Sequence, residues 1–262
     1  MSYLMMDLMS TTLDETEKPM LCHPKVGGII LFSRNFESKQ QLIELIAEVR
    51  AVRRELLIAV DHEGGRVQRF KEGFTPIPCM QMLGECYQED KENALNYARQ
   101  VAWLMAMELR QVGVDFSFAP VLDIDYACSD VIGDRAFSSD KKIVVELAEA
   151  FQQGLAEAGM ASIGKHFPGH GAVAPDSHVA IPIDERSLEE ILQDDVYPFR
   201  QLIQAGMKGI MPAHVIYQQV DEMPAGFSEF WLQTILRQQL GFQGAIFSDD
   251  LTMQGASVVG DI

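Results

Sequence analysis

Cations and thiols are scarce in this sequence. Across 262 residues, 21 Lys and Arg stand against 38 Asp and Glu, a formal charge of −17. So acidic a chain is repelled by phosphate backbones and anionic lipid, so neither nucleic acid nor a membrane surface is an expected partner. Only four cysteines occur (Cys22, Cys79, Cys86, Cys128), with no CxxC pair. That spacing suits neither a structural zinc site nor a small disulfide framework, so reduced thiols and a cytoplasmic location are expected. No apolar run approaches the ~20 residues that span a bilayer. Residues 1–8 are apolar but short, interrupted by Asp7 and without a basic stretch, which is not the pattern of a signal peptide. No GxGxxG follows any apolar run, so nothing supports a dinucleotide fold. Low-complexity segments, linkers and close repeats are also missing.

What is present is an alternation. Apolar runs of the buried parallel-strand type fall at residues 3–8, 26–32, 56–60, 114–119, 160–163, 208–214 and 245–250. Between them lie stretches with helical spacing. One follows a capping-box pattern at Ser38–Gln41, and others cover residues 92–112 and 141–158, the latter stopped by Gly159. Ser187 and Glu190 form a second capping box, opening a helix with Leu188, Ile191, Leu192, Phe199, Leu202 and Ile203 on one side. Residues 228–240 read as an amphipathic helix.

Polar groups gather where the strands end: Asp61, Asp123, Lys165 with His166, His214, and Asp249. In a (β/α)8 TIM-type barrel those ends share one rim, which carries the active site. This is the expected fold of the α/β class, with a doubly wound sheet as the alternative. Residues 1–262 are expected to form a single catalytic barrel domain. Seven strands are countable where closure needs eight, so the last β/α unit is expected to be lacking. A monomer is expected, with self-association possible through the open edge.

The densest chemistry lies in residues 165–178, where three His, one Asp and one Lys are separated by Gly and Pro, an expected loop. Two reactions suit His and Asp on such a rim. Glycoside hydrolysis needs an anion on one side of the anomeric carbon and a proton donor on the other. Asp249 fits the anion. Asp176 and His178 fit a dyad in which the carboxylate orients a proton-donating imidazole, although both are equally accounted for as exposed loop residues. Metal-dependent hydrolysis is the alternative, with His166, His170, His178, His214 and Asp249 as ligand types, but no HxH or HExxH pair is present.

The run Lys165-His-Phe-Pro-Gly-His-Gly171 with Asp176-Ser-His178, then Met211-Pro-Ala-His214, then residues 236–251 around Ser248-Asp249-Asp250, resembles glycoside hydrolase family three. Residues 27–35 and 60–70 are similar to its branch of cytoplasmic β-N-acetylglucosaminidases of bacterial peptidoglycan recycling. The resemblance implies a retaining exo-β-N-acetylglucosaminidase acting on a small carbohydrate, a muropeptide of the GlcNAc-1,6-anhydro-MurNAc type, without metal or organic cofactor. A β-glucosidase or β-xylosidase of the same family, or an inactive sugar-binding remnant, are the rival outcomes. By the same resemblance Asp249 matches the nucleophile, His178 the acid/base and Asp176 its partner. Asp61, Arg69, Arg135, Lys165 and His166 match the residues that hold the sugar ring. A rim ion pair is the competing account of both arginines, and a hydrogen-bonded core histidine that of His214.

Overall fold

The computed structural model describes residues 4–174 and 182–252. The elements run β1 (Leu4–Asp7), α1 (Glu17–Leu21), β2 (Val26–Leu31), α2 (Lys39–Val52), β3 (Leu57–Val60), β4 (His62–Gly64), β5 (Val67–Gln68), α3 (Met80–Glu89) and α4 (Lys91–Gln111). Then follow β6 (Phe116–Ser117), α5 (Lys141–Glu157), β7 (Ile163–Phe167), β8 (Ile183–Asp184), α6 (Leu188–Gln193), α7 (Val196–Gln204), β9 (Gly209–Pro212), β10 (Ile216–Tyr217), α8 (Phe230–Gln239) and β11 (Ala245–Ile246).

Strands β1, β2, β3 and β6 pair side by side and parallel, as do β7, β9 and β11. The segment after β6 joins the two sheets: Ile163 N–H donates to Ala119 O at 2.8 Å, and Leu122 N–H to Lys165 O at 2.6 Å. Seven parallel strands in sequence order, with helices between them, form the wall of a TIM-type (β/α)8 barrel. Among the described residues no strand lies between β11 and β1. Phe116 and Phe118 meet Phe247 at 5.4 and 5.5 Å. These come from the fourth and seventh strand positions, so the trio crosses the barrel interior. Helices α4 and α5 pack closely outside it, where Gly154 lets the chain approach the Arg99 carbonyl.

Four features differ from the expectations. The helix expected from residue 188 onward is two helices, broken at Asp194 and Asp195. Pro198 lacks the N–H that would bond back to Asp194. The stretch with Pro76 and Pro78 that leads to the helix at 92 reads in the sequence as a long loop, yet it carries helix α3. Gly84 weakens its helical pattern, yet a Cβ there would fall 1.8 Å from Phe137 O. Helix α8 is bonded i→i+5 over Phe230–Gln239, for which the sequence carries no signal. Finally, Lys165 and His166 lie inside β7 and not in a loop beyond it.

Candidate active site

The C-terminal strand ends lie on one rim, and a hairpin rises there. Strand β3 ends at Val60, and β4 and β5 turn back through Gly64 and Gly65 with φ of +117° and +54°. A Cβ on Gly64 would lie 2.4 Å from Pro78 O, so both backbone and space demand glycine. Asp61 and Glu63 flank His62, and both turn toward Lys165.

Lys165 Nζ lies 2.7 Å from Asp61 Oδ1 and 2.5 Å from Glu63 Oε1. Glu63 also accepts a two-pronged pair from Arg135, Nε and Nη2 each at 2.8 Å. Arg69 closes the other end, 3.8 Å from Asp61. The result is a row of alternating charge, Arg69–Asp61–Lys165–Glu63–Arg135. Burial alone would raise Glu63, but Arg135 and Lys165 outweigh it and hold the carboxyl far below its usual range. Burial likewise opposes the Lys165 charge, and Asp61 and Glu63 more than compensate, raising its pKa. Arg66 anchors the loop that carries Arg135, donating to Asp134 at 2.8 Å and to the carbonyls of Asp130 and Val131 at 2.9 and 2.6 Å.

The row continues through His166, whose Nε2 lies 3.5 Å from Arg135 Nη2. Its Nδ1 lies 2.6 Å from Asp123 Oδ2. Asp123 Oδ1 accepts from the His166 and His170 backbone N–H groups at 3.2 and 2.7 Å. One buried carboxylate thus ties down both ends of that stretch. Burial raises Asp123 and the adjacent His166 lowers it, with a lowered pKa the result. Lys165 and His166 are consecutive, and an unbroken strand would aim them at opposite faces. The β7–β9 ladder shifts register between Lys165 and Phe167, and that irregularity lets both side chains reach the same constellation.

Asp249 lies just beyond β11, half-buried, with Oδ1 accepting from the Asp250 N–H at 2.8 Å. Asp250 is exposed and spent on Thr252, whose N–H and Oγ1 it binds at 2.8 and 2.7 Å. His214 is buried, stacks on Phe227 at 5.4 Å, and lies 3.1 Å by Nε2 from Asp250 O, so it steadies the segment bearing Asp249. His170 is buried within electrostatic reach of Asp249; burial and His166 lower its pKa, and neither ring nitrogen has a partner among the described residues.

The structure therefore brings together Asp61, Arg69, Arg135, Lys165 and His166 on the rim that carries Asp249. Asp176 and His178 lie outside the described residues. Glu63 was not singled out from sequence, although two carboxylates at i and i+2 after a strand share one face, which is a legible signal. Asp123 was visible only as a polar strand end. Among the described residues no group of three or more His, Cys, Asp or Glu could hold a metal ion, and no helix is long and apolar enough to cross a membrane.

Residues 4–262 match the glycosyl hydrolase family 3 N terminal domain. The chain is 59% identical over 263 residues to a β-hexosaminidase of Idiomarina loihiensis, covering 100% of this chain and 78% of that one. It is 57% identical over 260 residues to a β-hexosaminidase of Methylobacillus flagellatus, covering 99% and 74%. The crystal structure of NagZ from Neisseria gonorrhoeae in complex with N-trifluoroacetyl-D-glucosamine superposes with a TM-score of 0.93 at 52% identity, covering 96% of this chain and 75% of that one. A family 3 β-N-acetylglucosaminidase from Paenibacillus superposes with a TM-score of 0.91 at 32% identity, covering 97% and 49%. With the barrel, the charged rim and these likenesses in place, the chain belongs to glycosyl hydrolase family 3 and is a glycoside hydrolase.

Proposed function

We propose that this chain is a retaining exo-β-N-acetylglucosaminidase, one catalytic barrel domain that removes terminal N-acetylglucosamine from cell-wall muropeptides in the cytoplasm. The observation that carries the reading is the largely buried row of donors and acceptors, Asp61 and Arg135 partly exposed and Lys165 and His166 buried, on the same rim as Asp249. Cationic N–H donors and a carboxylate acceptor, set at fixed spacing, suit the hydroxyl and amide groups of a neutral sugar. The sugar derivative bound by the Neisseria relative, and the β-hexosaminidases among the curated relatives, support the choice of sugar.

In this reading Asp61, Arg69, Arg135, Lys165 and His166 hold the ring. Asp249 attacks the anomeric carbon while His178 protonates the leaving oxygen, and a covalent glycosyl-enzyme forms. His178 then takes a proton from water, which displaces Asp249 with net retention. Asp176 orients the imidazole.

Release of an aryl group from β-N-acetylglucosaminide and from β-glucoside, with and without chelator, tests the proposal. Preference for the N-acetyl sugar, unaffected by chelator, is expected; preference for the glucoside moves the assignment to another glycosidase of the family. Asp249→Ala is expected to remove nearly all turnover while still binding the sugar. Inverted product at early times by NMR, or full activity in Asp249→Ala, would overturn the role. His178→Ala is expected to slow poor leaving groups by roughly 10²–10⁴-fold and activated aryl groups much less in the first step.

A further inference from the structure

Glu63 is an enclosed carboxylate of the rim, and its partners among the described residues are two sugar-facing cations. It is 3% exposed. One oxygen serves Lys165 Nζ at 2.5 Å and Arg135 Nη2 at 2.8 Å, and the other serves Arg135 Nε at 2.8 Å. Among the described residues no backbone or hydroxyl donor reaches it, so its hydrogen bonds all go to cations. Along the row, three cations (Arg69, Lys165, Arg135) meet two carboxylates (Asp61, Glu63). Without Glu63, Lys165 would keep only the more exposed Asp61, which Arg69 also faces, and Arg135 would have no direct carboxylate partner, only the field of Asp123 and Asp61. A site of that charge favours phosphate or carboxylate ligands, because guanidinium and ammonium groups bind such anions strongly.

We propose that Glu63 is a positioning and selectivity residue: it locks Arg135 and Lys165 in place and offsets their charge, so that the rim accepts a neutral sugar and declines anions. The inference rests on the reading of these residues as the sugar-holding row. Glu63 touches no reacting atom; it acts through its two partners. Its geometry selects against sugar acids and sugar phosphates, whose added charge finds the cations already engaged.

The test uses the whole chain, with inorganic phosphate as probe at constant ionic strength. Wild-type hydrolysis of a neutral aryl β-N-acetylglucosaminide is expected to be indifferent to phosphate. Glu63→Gln keeps the shape and removes the charge. It is expected to raise KM and to make phosphate a competitive inhibitor, with affinity raised by roughly tenfold or more. Glu63→Asp keeps the charge and shortens the reach, so KM rises but phosphate stays without effect. Glu63→Gln/Lys165→Met removes one charge of each sign and is expected to lose the phosphate response. Because Glu63→Gln can fold poorly, thermal midpoints are read in phosphate and in chloride, and Asp61→Asn, at the more open part of the row, is read alongside. Both variants are expected to be stabilised selectively by phosphate. Equal phosphate affinity in wild type and both variants, or a response in Glu63→Asp as large as in Glu63→Gln, overturns the proposal. A wild type that does not cleave the sugar would sink the enzymatic reading alone, since the thermal comparison still measures anion binding.

Discussion

Asp123 reaches the candidate site through another side chain. Its Oδ2 lies 2.6 Å from His166 Nδ1, and its Oδ1 receives two backbone N–H groups. An acceptor at Nδ1 fixes a proton there and leaves Nε2 to face Arg135. Asp123→Asn keeps the acceptor for the backbone but offers an amide N–H to Nδ1, so the proton moves to Nε2. Losing one such charge-assisted bond is worth about 1.5–3 kcal/mol, or roughly 10–100-fold in kcal-to-rate terms. We expect kcat/KM on the aryl substrate to fall by that factor, and the thermal midpoint to fall by several degrees as the buried carboxylate's stabilisation is lost. Unchanged kcat/KM would remove His166 orientation from the account. The sequence made the cationic residues legible because they stand in long ordered motifs. It left Glu63 and Asp123 in shadow, because a buried carboxylate acquires its meaning only from the partners brought to it from 72 and 43 residues away.

At the scale of elements, glycine marks the close approaches. Gly154 of α5 faces α4, and a Cβ there would fall 2.0 Å from Arg99 O and 3.0 Å from Ala102 Cβ. Gly154→Ala gains about 1 kcal/mol in helix propensity. It also forces the helices apart, and overpacking costs about 1–3 kcal/mol. The obstacle is backbone, which no rotamer change relieves, so the cost wins. A lower thermal midpoint is expected with turnover per folded molecule intact, because α4 and α5 pack outside the barrel and away from the rim. A midpoint at or above wild type refutes the packing argument. Alternation of apolar runs and capping residues sufficed to place α2, α4 and α5 in the sequence. Both groups of the Ser187–Glu190 capping box form, with Ser187 N–H donating to Glu190 Oε2 at 2.9 Å. The α6–α7 break was legible only in hindsight, from Pro198.

For the whole molecule, acid acts through a few buried groups of opposite sign. His62 packs among Phe70 and Phe74, and burial, with Arg69 nearby, lowers its pKa to about 4 from 6.5. The unfolded chain therefore takes up the proton first, and His62 stabilises the fold above pH 6.5 and ceases to as pH falls toward 4. Asp195 runs the other way. Burial raises it to about 6 from 3.8, against the pull of Arg186, so the folded state holds that proton more tightly and gains stability as pH falls through 6. Glu63 and Asp123 are both lowered, from 4.5 and 3.8, and their stabilisation is lost as pH falls below those values. The −17 surface charge is screened over about 10 Å at 0.1 M salt and is the smaller influence there. Thermal midpoints should thus change little between pH 6.5 and 4 and drop below that. His62→Phe is expected to gain on wild type as pH falls through that window, by up to about 3 kcal/mol, and Asp195→Asn to lose ground over the same window. Parallel curves for all three proteins would contradict both assignments.

By itself the sequence determined the alternation of strand and helix, the polar strand ends, and the family. Those properties are local: period, caps and motif order are written within a few residues of where they act. Only the tertiary structure decided that Asp61, Lys165, Glu63 and Arg135 form one row of alternating charge, that Asp123 governs His166, and that Asp250 is turned aside to Thr252 while Asp249 is left half-buried at the rim. Hydrogen bonds and ion pairs between distant residues depend on separations of a few ångströms, and those are set by how seven strands pack against one another around a shared core.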